Sequence, residues 1–345
     1  MIGNIKYIKN YLSPSLMLIV IACSTSMAQA DNQDAELREQ ALSLFKPLPD
    51  NANMPSLPLS DKMVALGREL FFDRRISASG SKGCANCHQP KLYGTNGSAL
   101  GLHAGSGNPI SNVPTVLNAS WSFALNWYGD QPSIESQSIT SLVSKAGLGH
   151  TDTASAMAKI RAIPKYRKLF SAIFSDNPEP VTPENWATVM GAYQRTLNTP
   201  APFDAYLAGN NKAISANAKK GLKRFMEIGC VACHNGIAIG GSSYQKFGVW
   251  ENYWPLTKSS RIDEGRFNLT KDNNDLYVFR VAGLRNVSKT APYFHDGSVK
   301  SLPEAVRIMG KIQLRKTISN ADVKYIVAFL NTLTGKLPKS FSRPS

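Results

Sequence analysis

The chain has 345 residues, 43% of them apolar and 18% charged, with a formal net charge of +15. That length supports one large or two ordinary domains with real cores, and the composition excludes a disordered or fibrous chain. Five cysteines and five histidines are few, and four of the cysteines and two of the histidines fall in Cys84-Ala-Asn-Cys87-His88 and Cys230-Val-Ala-Cys233-His234.

Taken in chain order, Lys6 and Lys9 precede an apolar run from Leu16 to Cys23, which is too short for an ordinary membrane-spanning helix and leads to Ala28-Gln29-Ala30. This reads as a secretory signal over residues 1–30. Val20-Ile21-Ala22-Cys23 offers the competing reading of a lipobox, with Cys23 lipidated at a membrane surface. Either way the mature chain is exported, with the periplasm as its expected location, and it keeps a charge of +13. A basic exported protein without an aromatic-basic nucleic-acid motif points to an acidic protein partner or an anionic membrane rather than to DNA.

The remaining periodicities are mostly helical. Met63, Leu66, Leu70 and Phe71 follow a Ser60 cap, and Leu222, Phe225 and Met226 share one face of the segment from Ser215 to Ile228. A helix opening at Ser301, Pro303 and Glu304 is expected to stop at Gly310, and Ser319 with Asp322 caps a last stripe that Gly335 and Pro338 end. Between residues 75 and 150, and from 235 to 285, Gly, Asn and Ser accumulate without period, so long irregular segments are expected, ordered by something other than secondary structure. A faint internal echo joins Gly67-Arg-Glu-Leu-Phe71 ahead of Cys84 to Gly221-Leu-Lys-Arg-Phe225 ahead of Cys230. The expected fold is mainly α: two cytochrome c-like haem domains, residues 31–198 and 199–345, with long irregular loops and a last helix able to pack back on the N-terminal domain.

Cys-x-x-Cys-His is the attachment signature of c-type haem, in which two thiols add to the vinyl groups and the adjacent histidine binds the iron. Cys84, Cys87, Cys230 and Cys233 are therefore the expected attachment points, and His88 and His234 the iron ligands. A shared zinc site would have to join pairs separated by 142 residues and would leave both histidines unexplained. Each iron then needs a sixth ligand or an open position. His103, His150 and His295 remain among the histidines, and His103 follows His88 by 15 residues among Gly94, Gly97, Gly101, Gly105 and Gly107. Such a backbone would let a histidine reach the iron and leave it again. Met309 is open to two readings, core filler or a thioether ligand that would raise the potential of the second haem.

The stretch from Leu66 to His88, Asn112-Val-Pro-Thr-Val-Leu-Asn118, Asn286-Val-Ser-Lys-Thr-Ala-Pro-Tyr-Phe-His-Asp-Gly297, and Ala305 to Leu314 closely resemble bacterial di-haem cytochrome c peroxidases, the group that includes the MauG-type enzymes. The resemblance implies an exported enzyme, homodimeric, that reduces hydrogen peroxide to water with electrons from a small cytochrome or copper protein. It implies two covalent haem c groups, the N-terminal one the peroxide site and the C-terminal one the electron store. Carried over by residue, His103 matches the histidine that blocks the peroxide site until activation, Met309 the methionine ligand, and Trp127 the tryptophan between the haems. Asn112, Thr290 and Pro292 match the calcium site, for which oxygen ligands are suited, and His295 lies beside it.

One departure stands out. Gln137 matches the family glutamine ten residues after the tryptophan, but the proline position holds Ser141 and the acid/base glutamate position holds Gly147. Acid/base assistance of that kind is worth about 10²–10⁴ in rate, so His150, Glu135 or Asp130 becomes a candidate replacement. The same gap keeps two rivals in view: MauG-like oxidation of a protein side chain, against which Met309 counts, and a non-catalytic di-haem electron carrier.

Overall fold

The computed structural model describes residues 32–49, 60–99 and 111–344, so the leader reading and Cys23 lie outside the described residues. The chain divides into two compact units, residues 1–43 and 44–345. Helix α1 runs over residues 32–44, and everything below concerns the larger unit. The fold is mainly helical, and no helix among the described residues is long and apolar enough to cross a membrane.

The first hydrophobic core is built on α2 (Asp61–Phe72) and α6 (Pro183–Arg195), with α3 (Ile134–Val143), α4 (Thr153–Arg161) and α5 (Pro164–Ile173) around them. Ser60 caps α2 as its spacing predicts, accepting from the amide of Met63. Leu66, Leu70 and Phe71 then fall on the buried side beside Val189, Met190 and Tyr193 of α6, each contributing roughly 1.5–3 kcal/mol of apolar burial. Gly67 lets the two helices close up, since a Cβ there would collide with the carbonyl oxygen of Val189. A second helix pair repeats the device. Past the short α7 (Pro202–Leu207), α8 (Ala216–Ile228) lies against α12 (Asn320–Asn331), Gly221 stands where a Cβ would collide with the carbonyl of Tyr325, and Ser215 and Ser319 cap the two helices. The echo between residues 67–71 and 221–225 thus marks equivalent helix contacts.

Two expectations need correction. Residues 75–150 are not irregular throughout, because α3 forms from a sequence with little apolar stripe. Its start is set by the Ser133 cap, and its place by Trp186, whose indole Nε1 donates to the Ser138 carbonyl at 3.0 Å. Likewise residues 235–285 hold the short helices α9 (Tyr253–Thr257) and α10 (Phe267–Thr270) and an antiparallel pair, β1 (Tyr244–Lys246) with β2 (Val278–Arg280). That pairing is too far apart in sequence to show as a period. The helix opened by Ser301, α11, runs from Leu302 to Leu314 and does not stop at Gly310. Gly310 instead gives room to Ile318, whose side chain would lie 2.6 Å from a Cβ there.

The last helix packs on α8, and it is the tail beyond it that reaches the first core, where Phe341 meets Phe71 edge-on with ring centroids 6.1 Å apart. Buried polar ties join distant segments. Arg285 grips Asp204 through two bonds of 2.8 and 2.9 Å and donates Nε to the Ile237 carbonyl. Thr199 Oγ1 accepts from the side-chain amides of both Asn118 and Asn286, each at 2.8 Å.

Candidate functional site

Each Cys-x-x-Cys-His segment folds as one short 3₁₀ turn, Cys84–Asn86 and Cys230–Ala232. The amides of Cys87 and His88 both point at the Cys84 carbonyl (3.1 and 2.9 Å), and those of Cys233 and His234 at the Cys230 carbonyl (3.3 and 3.0 Å). This geometry puts two sulfurs and one imidazole on a single turn. Behind each turn stands the aromatic of its own helix: Phe71 lies 6.5 Å from the His88 ring and Phe225 6.4 Å from the His234 ring. Each is braced in turn by the partner helix, Phe71 by Tyr193 at 5.4 Å and Phe225 by Phe329 at 5.3 Å.

The chemistry of the turns fits haem c. Burial holds the His88 imidazole below its ordinary pKa and brings His234 down to about 4, so both rings are neutral near pH 7, as an iron ligand must be. His88 Nδ1 lies 3.0 Å from the Gly94 carbonyl, which reserves the opposite nitrogen for a metal. His234 is likewise buried, with the backbone carbonyls of Ile239 and Ala282 toward its ring. The four cysteines are free, and burial pushes the thiol of Cys84 up to about 12 and that of Cys230 up to about 11. In the metal-free protein this burial disfavours the thiolates of Cys84 and Cys230. No group of three or more His, Cys, Asp or Glu converges among the described residues.

Of the two sixth-ligand candidates, His103 lies outside the described residues. Met309 sits half-buried in the third turn of α11, while Ala305, Ile308 and Ile312 of the same helix enter the core.

Trp127 and the calcium candidates are brought together. The Trp127 indole Nε1 donates to the Asn112 carbonyl at 2.7 Å, and the Asn112 amide donates from its backbone N to the His295 carbonyl at 2.7 Å. Asn112 Nδ2 bonds the carbonyls of Pro292 (2.7 Å) and Phe294 (3.1 Å), whereas Thr290 turns its hydroxyl to the Val287 carbonyl at 3.3 Å. An amide and carbonyls are the hard donors that would suit calcium, but the Asn112 side chain presents Nδ2 rather than Oδ1 to the Pro292 and Phe294 carbonyls. His295 is 3% exposed among rings, with Phe279 at 4.4 Å, Tyr253 at 5.2 Å and Trp127 at 6.4 Å. Burial lowers its pKa against the pull of Asp296 and Asp263, and its Nε2 has no hydrogen-bond partner among the described residues.

The acid/base candidates differ in their surroundings. Gly147 cannot be replaced by the family glutamate in this backbone, since a Cβ would collide with the Ser141 carbonyl. His150 is neither exposed nor free to swing: it is 7% exposed, and its Nε2 lies 2.8 Å from the Ile76 carbonyl. Burial of Glu135 is outweighed by the hydrogen bond from Arg195, which holds its carboxyl below the usual range. Asp130 is different. Asn126 Nδ2 joins Asp130 Oδ2 at 3.0 Å to Gln137 Oε1 at 3.1 Å, and Gln131 Nε2 adds a bond to Asp130 at 3.2 Å. Sequence reading passed over Asn126; its one local signal is its place directly before Trp127, where it adopts a left-handed backbone (φ 61°).

A mainly helical chain with two such turns, each carrying a neutral histidine and two thiols, has the make-up of a di-haem c-type protein. The family model for di-haem cytochrome c peroxidase matches residues 61–212. The chain is 40% identical to cytochrome c551 peroxidase of Pseudomonas aeruginosa over 93% of its own length and 92% of that protein's, and 30% identical to methylamine utilization protein MauG of Methylophilus methylotrophus over 83% and 87%. Among solved structures, a MauG-like protein associated with microbial copper homeostasis superposes with a TM-score of 0.75 at 25% identity, covering 87% of this chain and 97% of that one. The chain belongs to the di-haem cytochrome c peroxidase family and is an oxidoreductase of that kind.

Proposed function

We propose that this enzyme is exported to the periplasm and there reduces hydrogen peroxide to two waters, taking up two protons and two electrons from a small cytochrome or copper protein. Haem c, bound through Cys84, Cys87 and His88 and through Cys230, Cys233 and His234, supplies the redox chemistry. In this reading residues 31–198 carry the peroxide site, closed by His103 at rest, and residues 199–345 the electron store, with Met309 as its thioether ligand. Trp127, fixed by Asn112, stands on the path between them, a calcium ion at Asn112, Thr290 and Pro292 ties that path together, and two copies form the working dimer.

The carrying observation is the construction of both Cys-x-x-Cys-His turns around a neutral, aromatic-backed imidazole. Around the peroxide site Gln137 orients the substrate, and Asp130, coupled to it through Asn126, is the carboxylate that takes a proton from the peroxide and returns it to the departing oxygen. One observation keeps protein oxidation of the MauG type as a second reading: the Gly147 backbone has no room for the carboxylate of the peroxidases.

Peroxide mixed in a stopped-flow instrument with one-electron-reduced holoprotein tests the peroxidase reading. A fast spectral change is expected. Asp130→Asn slows it at least tenfold, and His150→Ala leaves it within twofold. No fast change in the parent protein would leave only an electron carrier.

A further inference from the structure

A short exposed loop lies across the second Cys-x-x-Cys-His module, and the proposed function does not use it. β1 begins it: the side chain of Gln245 reaches the sulfur of Cys233 at 3.8 Å. The chain then crosses to the end of α11, where it is held by side-chain and backbone bonds. Gln313 Oε1 accepts from the amides of Gly248 (2.6 Å) and Val249 (3.2 Å), Gln313 Nε2 donates to the Lys246 carbonyl (3.0 Å), and the Trp250 amide donates to the Ile312 carbonyl (2.9 Å). Ile312 is three residues beyond Met309 on the same helix. The loop therefore touches both an attachment cysteine and the methionine helix.

Its tip is apolar and exposed. Val249 is 47% and Trp250 56% accessible, although the backbone beneath them is pinned. A large indole held rigidly in water is a costly feature that a partner's surface would remove, and Trp with Arg is the pair most enriched at the centres of protein interfaces. The rim is basic. Arg315 lies over the Trp250 ring, 5.3 Å from its centroid. Lys246, Lys311 and Lys316 are exposed around the same helix end. Acids stand among them: Glu251 pairs with Lys311 at 3.5 Å, and Glu227 and Asp322 share a hollow with Lys316 but are both tied to Arg224. Lys316 also ties this end to the haem turn, donating Nζ to the carbonyl of Ile228, two residues before Cys230.

We propose that the Val249–Trp250 tip and its rim of Arg315, Lys311, Lys316 and Lys246 form the docking surface for the electron donor, a small redox protein with an acidic rim around an apolar contact. This deepens, and rests on, the reading of the second module as the one that receives electrons. Two exposed apolar residues are too few for a membrane-embedded face or for the core of a permanent dimer, but suit the small, charge-steered contact through which electrons pass. The basic rim selects an acidic partner and makes the encounter sensitive to salt.

The test uses the holoenzyme with two reduced probes of net negative charge, a blue-copper protein and a small c-type cytochrome. Binding is read by calorimetry and electron transfer by stopped flow. For at least one probe, raising salt from 20 to 300 mM is expected to slow transfer more than tenfold. Arg315→Glu and Trp250→Ala are each expected to weaken binding at least tenfold, with reduction by dithionite unchanged within twofold. Unchanged binding in both variants, or no binding of either probe, would overturn the proposal. So would sedimentation showing that Trp250→Ala splits a dimer, or binding of the parent protein to phosphatidylglycerol vesicles that the variant loses. Peroxide turnover driven by a small-molecule reductant separates the two claims: if it persists when docking fails, the docking surface falls and the peroxidase reading stands.

Discussion

The two Cys-x-x-Cys-His modules are built alike and then diverge. Each sets a capped helix against a partner through a glycine, Gly67 on α2 and Gly221 on α8, and each backs its histidine with a phenylalanine one turn further on. The divergence lies in what surrounds the imidazole. His88 has its Nδ1 against the Gly94 carbonyl, at the start of a glycine-rich stretch. The backbone carbonyls of Ile239 and Ala282 lie toward the His234 ring instead, and Met309 stands on a helix whose neighbouring turns are locked into a core. A shared scaffold with unequal surroundings is how one fold can hold two irons at different potentials, because the scaffold fixes the attachment and the surroundings set the ligand field.

The largest effect is expected at the most deeply buried ion pair of the C-terminal region, Arg285 with Asp204. Asp204→Ala would leave Arg285, whose side chain is 2% exposed, charged and unpaired, at a cost of about 3–5 kcal/mol. Chemical denaturation of the holoprotein measures it. The likeness itself is probed by Gly67→Ala and Gly221→Ala. Both force a Cβ into the facing helix backbone, so each should cost about 1–3 kcal/mol, and a cost at one site alone would break the equivalence. Glu135→Gln gives a smaller effect, confined to the N-terminal region. The Glu135 carboxyl is held below its ordinary pKa by Arg195, so its contribution is present above the unfolded value of about 4.3 and fades as the pH falls through the folded value. Urea melts should show a deficit of roughly 1–2 kcal/mol at pH 7 that closes as the pH falls below about 4.

Much of this was legible in sequence because it is local. Ser60, Ser215, Ser301 and Ser319 cap the helices that their spacing announces, and the attachment turns are written in five consecutive residues. What was hidden depends on residues far apart. Nothing near His150 says that the Ile76 carbonyl, 74 positions earlier, holds its ring. Nothing near Glu135 announces Arg195. The polar helix α3 is made by its contact with α6, and Gly310 reads as a stop until Ile318 is seen to need the space. The departure at Gly147 was plain in sequence, but its steric reason lies in the Ser141 carbonyl.

A potentiometric titration of the holoprotein and its Met309→Leu variant tests the inequality of the modules most directly. Two well-separated waves are expected in the parent, and only the higher should fall in the variant, since a thioether favours ferrous iron. A single merged wave, or a higher wave that Met309→Leu leaves in place, would contradict the account.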